Sequence, residues 1–150
     1  MAHAVINANF IASGRNRPPG EAMSLADKFN LMNEFNLLRI VCALFFIPHL
    51  FGKFTVPQAL QFYIEVGFKP PKFWMYLAAA IEIVLTIALL LDFHTAIFGF
   101  LAFIHLMVAA AATYKWKRSW LWVICGIEYC VFWALVCLAV ALHAYNTVGL

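Results

Sequence analysis

The sequence predicts an all-α integral membrane protein, a four-helix bundle with up-down topology. Hydrophobic residues make up 65% of the chain and charged residues only 11%, whereas a soluble domain is about half apolar and a quarter charged. The apolar residues are concentrated in four stretches, each of about the 20 residues that a helix needs to cross the hydrocarbon. A soluble chain of 150 residues could not hide so much apolar surface, so we expect lipid to be its solvent.

The four predicted spans lie within one transmembrane domain. They cover about residues 37–54, 73–91, 95–114 and 120–142. The short hinges after the second and third spans require antiparallel neighbours, which gives the up-down order within one transmembrane domain, 37–150. Residues 1–22 are predicted as a flexible polar tail. In residues 23–36, apolar side chains recur at helical spacing, which predicts an amphipathic helix on the membrane surface.

The longest connection, from Thr55 to Lys72, is predicted to be structured. Pro57 is a favourable first residue of a helix, and Gly67 is a favourable end. We therefore expect a short helix that covers one end of the bundle. Lysine and arginine are more frequent beside this connection and the third one than on the other side, so the positive-inside rule places both connections in the cytoplasm.

Charge and cysteine content exclude several function classes. The net charge is +3 and forms no clustered basic face, so no nucleic-acid partner is predicted. The four cysteines lie inside predicted spans without a C-x-x-C pair. This pattern is typical of packing residues, and it argues against an enzyme that forms disulfides.

Ionisable residues inside the predicted spans are the strongest indication of function. Each is costly in lipid unless it faces the bundle interior and finds a partner. Counted from the side of the first and third connections, Glu82, His105 and Glu128 lie about 12–14 Å deep, and His49 about 7–8 Å deep. His49 and Lys53 share one face of the first span. These positions predict one polar cluster to which all four helices contribute.

Arg39 lies near the opposite end of the first span and is expected at the lipid headgroups. Three interpretations of the polar cluster stay open. The side chains could bond to one another and fix the register of the helices. They could form a redox or proton site that holds a quinone, because a His–Glu pair supplies both a donor and an acceptor. His49 and His105 could ligate a metal or haem, which is less favoured because they are offset in depth by about one turn. The Glu-x-x-His pattern of di-metal bundles is absent, so no metal ligands are assigned.

Two stretches of the chain resemble the DoxX-like family of four-helix membrane proteins. The first, Leu38 to Phe54, carries Arg39 near its start and a histidine, a glycine and a lysine near its end. The second begins with Val66-Gly67-Phe68 and continues to the glutamate in Ala80-Ile81-Glu82-Ile83. After that glutamate the family often has glycines and then an arginine in the following turn. This chain departs from the pattern, with Val84, Leu85 and Thr86 and then Asp92-Phe93-His94.

The resemblance implies a multi-pass protein of the bacterial or archaeal cytoplasmic membrane. Some relatives are subunits of thiosulfate:quinone oxidoreductase, and others associate with sulfurtransferase and superoxide-detoxifying partners. The family's polar site would be formed here by Arg39, His49, Lys53 and Glu82. We therefore predict a quinone-linked redox subunit that works with other membrane or peripheral subunits. The alternatives are a non-catalytic accessory subunit of a respiratory or photosynthetic complex and a small oligomeric transporter.

Overall fold

The computed structural model describes residues 24–121 and 126–148, and within them all regular structure is helical. The predicted tail lies outside the described residues. The helices are α1 (Leu25–Lys28), α2 (Glu34–Thr55), α3 (Pro57–Val66), α4 (Pro71–Leu90), α5 (Thr95–Lys117) and α6 (Glu128–Val148). Four of them, α2, α4, α5 and α6, are long and apolar enough to cross a membrane. The predicted all-α class, with four helices that could cross a membrane by length and composition, is confirmed.

The core between the four long helices is built from apolar side chains that contact one another. Phe46 on α2, Leu89 on α4, Ala102 on α5 and Cys137 on α6 are all completely buried. Large apolar side chains also cover the outer surface of the bundle, where Phe132 is 69% exposed. In water such a surface would be unfavourable, and its extent is that of a protein surrounded by lipid.

The α5–α6 contact is the most extensive between any two helices of the described residues. A glycine permits it, because a Cβ atom at Gly99 would stand 3.0 Å from the Cβ of Ala141 and 3.2 Å from its Cα. Close approach through small residues is typical of helix pairs in membranes, where packing replaces the hydrophobic effect as the attraction between helices. The pair α5–α6 is therefore a tight unit of the bundle.

The segment before α2 differs from the predicted amphipathic helix over residues 23–36. It contains only the single turn α1, then a bend at Asn30, whose Oδ1 accepts the backbone N–H of Met32 at 3.0 Å. Asn33 then caps α2, its Oδ1 accepting the backbone N–H groups of Phe35 and Asn36 at 3.0 and 3.1 Å. Asparagine side chains that bond in this way offer the backbone an alternative to a continuous helix, so the apolar spacing alone overestimated the helix.

The last helix begins at Glu128, later than the predicted start near Trp120. Among the described residues, 118–121 and 126–127 are not helical, and the backbone N–H of Glu128 bonds to the carbonyl of Trp120 at 3.0 Å. Glycine is a poor helix former, so Gly126 does not favour an earlier start of the helix.

The predicted cover helix is present as α3. Pro57 is its first residue, and Gly67 ends it with a φ of 93°. A left-handed conformation of this kind is accessible to glycine without steric cost, so the two residues set the ends of the helix as expected. The helix connects α2 to α4 and contacts α2, α4 and α5.

Candidate functional site

The site is centred on the carboxylate of Glu82, which is held by residues from two other helices. The Lys53 Nζ of α2 lies 2.6 Å from both Glu82 carboxylate oxygens. The His105 Nε2 of α5 lies 3.2 Å from Glu82 Oε1. The three side chains are largely buried, with exposed fractions of 11%, 7% and 15% for Lys53, Glu82 and His105. An ion pair and an imidazole therefore connect α2, α4 and α5 within the apolar bundle.

His49 lies beside this cluster without bonding to it. Its ring stacks on Tyr129 at a centroid distance of 5.9 Å and is tilted against Trp133 at 5.3 Å. Within residues 24–121 and 126–148, no group hydrogen-bonds to the His49 imidazole. Two aromatic rings of α6 thus fix the orientation of the imidazole while its nitrogen atoms stay open to a ligand.

A cavity of about 660 Å³ joins His49 to the Glu82 cluster. Its lining is mostly apolar and includes residues of α2, α3, α4, α5 and α6. Its ionisable residues include His49, Lys53, Glu82 and His105. Small-molecule sites have volumes of about 300–1,000 Å³ and the same combination of apolar walls with a few polar groups. The cavity can accept a molecule with an apolar body and one hydrogen-bonding edge.

The helix α3 lies over this cavity and is fixed to the end of α5. Lys115 Nζ donates to the carbonyl of Val66 at 2.7 Å, the Trp116 indole N–H donates to the Glu65 carboxylate, and the Phe62 ring meets the Trp116 ring edge-on at 5.4 Å. Two hydrogen bonds and one aromatic contact therefore hold the cover against the end of α5.

Tyr63 brings a hydroxyl from the cover into the lining of the cavity. Burial, and then the negative charge of Glu82, raise the pKa of Tyr63 to about 12. The hydroxyl therefore keeps its proton at neutral pH and can donate a hydrogen bond. No motif in the sequence marks Tyr63, and only its place in the lining of the cavity, one helical turn from Ala59, shows its role.

We expect a pH-dependent loosening of the cover at Glu65. The hydrogen bond from Trp116, followed by the one from Gln61, lowers the pKa of the exposed Glu65 carboxyl. A lowered folded-state pKa stabilises the closed cover above the ordinary value of about 4.3, and this contribution is lost as the pH falls through the lowered pKa. The indole N–H resonance of Trp116, followed by NMR in micelles, should therefore titrate with a midpoint below the ordinary glutamate value.

The Glu65→Gln variant is the control for this titration, because its amide cannot change charge. Its Trp116 resonance should stay constant over the same pH range, and Trp116→Phe assigns the signal by removing it. A wild-type midpoint at or above the ordinary glutamate value would contradict the proposed contact.

Arg39, which was expected to meet the lipid headgroups, is instead buried within the protein, and it does not join the cluster. Its side chain is completely buried at the other end of α2. The guanidinium donates to the carbonyls of Leu89 and Leu90 at the end of α4 and to Lys28 O at 2.5 Å, and its Nε lies 3.6 Å from Asp92 Oδ1. The last carbonyls of a helix have no partner within it, so Arg39 supplies a donor to this end of α4, where the Leu89 carbonyl also accepts the backbone N–H of Asp92 at 3.3 Å.

Glu128 is placed in the first turn of α6, half-buried. Its expected depth rested on a helix that begins near Trp120, and α6 begins at Glu128 itself. No side-chain contact joins Glu128 to Lys53, Glu82 or His105 in the part of the chain that the structure describes. The structure thus brings together Lys53, Glu82, His105 and, across the cavity, His49, and it leaves Arg39 and Glu128 apart.

Trp133 and Cys130 of α6 also line the cavity and were not singled out from the sequence. The Trp133 indole N–H is buried and has no hydrogen-bond partner among the described residues. Among the same residues, no three His, Cys, Asp or Glu side chains lie close enough together to hold a metal ion.

The fold and the site define a class: a helical multi-pass membrane protein with an ion pair at the edge of an apolar cavity. The DoxX family model matches residues 35–116, more than half of the chain. The match includes Arg39, His49, Lys53, Glu82 and His105. This protein belongs to the DoxX family. No curated protein and no solved structure matches the chain.

Proposed function

We propose that this protein is the quinone-binding membrane subunit of an oxidoreductase complex. The observation that carries the proposal is the apolar cavity of about 660 Å³ bordered by His49 and the Lys53–Glu82–His105 cluster. A quinone is a flat apolar ring with carbonyl oxygens that accept hydrogen bonds. The cavity offers apolar walls for the ring and donors for the oxygens, which is the combination that such a ligand requires.

Each donor of the site has a definite capacity. An ammonium group has three N–H donors, and the Lys53 contacts to the two Glu82 oxygens leave one of them for a ligand. His49 has both ring nitrogens open, and Tyr63 can donate its hydroxyl proton. The ion pair makes Lys53 and Glu82 electrically neutral together, so the site can bind an uncharged ring without leaving a single charge buried.

The same groups can supply protons when the ring is reduced. Conversion of a quinone to a quinol takes up electrons and protons in equal number. His49 is the candidate proton donor, because imidazole changes protonation near neutral pH and this ring is open to the cavity. Glu82 bonds to Lys53 and His105, so it would orient both of these side chains. The electrons come from another subunit, which we propose to be a membrane or peripheral redox protein.

We further propose that the helices cross a bacterial or archaeal cytoplasmic membrane in the up-down order, with α3 and the α5–α6 connection in the cytoplasm. The contact between Val66 and Lys115 supports a common side for these two connections. At the other end, Arg39 near the start of α2 bonds to the end of α4, and Phe35 stacks on His143 of α6 at 4.4 Å. Both contacts favour α2 running antiparallel to α4 and α6.

The test is a titration of the purified protein in lipid nanodiscs with ubiquinone or menaquinone. Trp74, Trp116 and Trp133 line the cavity, so a bound quinone should quench the tryptophan fluorescence in a saturable way. Loss of one hydrogen bond to the ligand costs about 1–3 kcal/mol, so His49→Asn should weaken binding by roughly fivefold to a hundredfold.

The exposed His94 provides the matched control. It lies in the α4–α5 turn with a φ of 42°, a conformation that asparagine tolerates, so His94→Asn should bind quinone like the wild type. Quenching that rises linearly without saturation in the wild type would sink the proposal. Equal affinities of wild type and His49→Asn would remove His49 from the site.

A further inference from the structure

A second cavity lies between α4 and α5 and opens on the outer surface of the bundle. Its volume is about 540 Å³, and its lining is apolar except for His105. Val84 of α4 and Leu101 of α5 lie in its walls with exposed fractions of 53% and 45%. In a membrane this groove faces hydrocarbon.

The groove adjoins the cavity of the candidate site. Ile81, His105 and Val108 line both spaces. The imidazole of His105, bonded to Glu82, stands at this junction. The shared residues place the groove beside the polar residues of the cavity.

The packing of the helices explains why the bundle opens here. Although α4 and α5 are joined by a short turn, they contact each other far less than α5 contacts α6 or α2 contacts α4. Ala80 is a small residue in the wall of the groove, and it leaves space that a larger side chain would fill.

We propose that the groove between α4 and α5 is the passage for the isoprenoid tail of the quinone whose ring lies in the cavity. This inference rests on the proposed function. A hydrocarbon tail gains little by moving from lipid into an apolar groove, because lipid is as apolar as the protein. The groove therefore provides access: a ring held at Lys53 and His49 needs an opening through which its attached tail reaches the bilayer. The site is thereby matched to long-tailed, membrane-dissolved quinones.

The test compares a long-tailed ubiquinone with the same ring lacking the tail, in nanodiscs. Val84→Trp fills the groove from α4, and Leu101→Trp fills it from α5. Each should weaken binding of the long-tailed quinone at least tenfold and change binding of the tailless ring less than twofold. Retained binding of the tailless ring also shows that the variant is folded. Ile83→Trp is the control, since Ile83 is exposed on α4 and lies outside the groove.

The outcomes separate the two proposals. If the wild type binds neither quinone, the proposed function fails and the tail passage fails with it. If the wild type binds both and the groove variants weaken neither, or weaken both equally, the tail passage is wrong while the quinone site stands. A phospholipid that native mass spectrometry finds on the wild type but not on Val84→Trp, with quinone binding unchanged, would assign the groove to a bilayer lipid and also overturn it.

Discussion

Replacement of Arg39 by methionine should lower the free energy of unfolding by about 3–5 kcal/mol, as removal of one partner from a buried charged network does. The guanidinium contacts carbonyls of Leu89, Leu90 and Lys28 as well as Asp92. Methionine fills part of the volume but donates no hydrogen bond. The end of α4, the segment before α2 and the Asp92 carboxylate all lose their common partner at once.

The measurement is reversible unfolding in mixed micelles, followed by the reaction of the buried thiols of Cys42 and Cys137 with a fluorogenic maleimide. These two side chains are at most 2% exposed, so they react only when the bundle opens. Arg118 is exposed, and Arg118→Met should change stability by less than about 0.5 kcal/mol. The variant Arg39→Lys should be intermediate, because an ammonium group lacks the planar fork of donors.

A double-mutant cycle with Asp92→Asn separates the charge from the carbonyl contacts. If the Arg39–Asp92 attraction dominated, the two single changes would be strongly non-additive. At 3.6 Å the Nε–Oδ1 separation is longer than a hydrogen bond, so we expect the carbonyl contacts to dominate and Asp92→Asn to be the milder change. Equal stability of wild type and Arg39→Met would refute the assignment of Arg39 as the common anchor of this end.

The sequence could predict those features of the structure that depend on local properties of the chain. The four membrane helices depended on hydropathy and length, both local properties. The meeting of Lys53, Glu82 and His105 depended on counting residues from helix ends that were placed well enough, since each residue adds a fixed rise of about 1.5 Å. The same count misplaced Glu128, because the apolar character of the chain begins well before Glu128 and gave no sign that the helix begins there.

Other features depended on contacts between distant segments, which no local pattern records. The sequence showed that Arg39 lies near a helix end. It could not show that the guanidinium is buried against the carbonyl of Lys28, which belongs to the segment before α2. The cover was visible as a helix between Pro57 and Gly67. Its attachment through Glu65 and Trp116 joins residues far apart in the chain, and nothing in either neighbourhood indicates the pairing.

The second large effect is expected at the ion pair beneath the cavity. Glu82→Gln leaves the Lys53 ammonium buried without a counter-charge. Lys53→Met leaves the Glu82 carboxylate buried without a counter-charge. Each should cost about 3–5 kcal/mol of stability. The double variant leaves no uncompensated charge, and glutamine can still bond to His105. Because a buried ion pair is often no more stabilising than a neutral pair of similar volume, the double variant should recover most of the loss.

The double variant therefore distinguishes a cluster with only a structural role from a binding site. The stability of the double variant and its quinone affinity are measured on the same preparation, by the thiol assay and by tryptophan quenching. We expect a folded protein whose affinity falls at least tenfold, about 1.4 kcal/mol, because methionine cannot replace the ligand-facing N–H of Lys53. If the double variant folds and binds quinone like the wild type, the cluster serves only to fix the helices. The accessory-subunit interpretation would then be preferred, because it alone requires no ligand at Lys53.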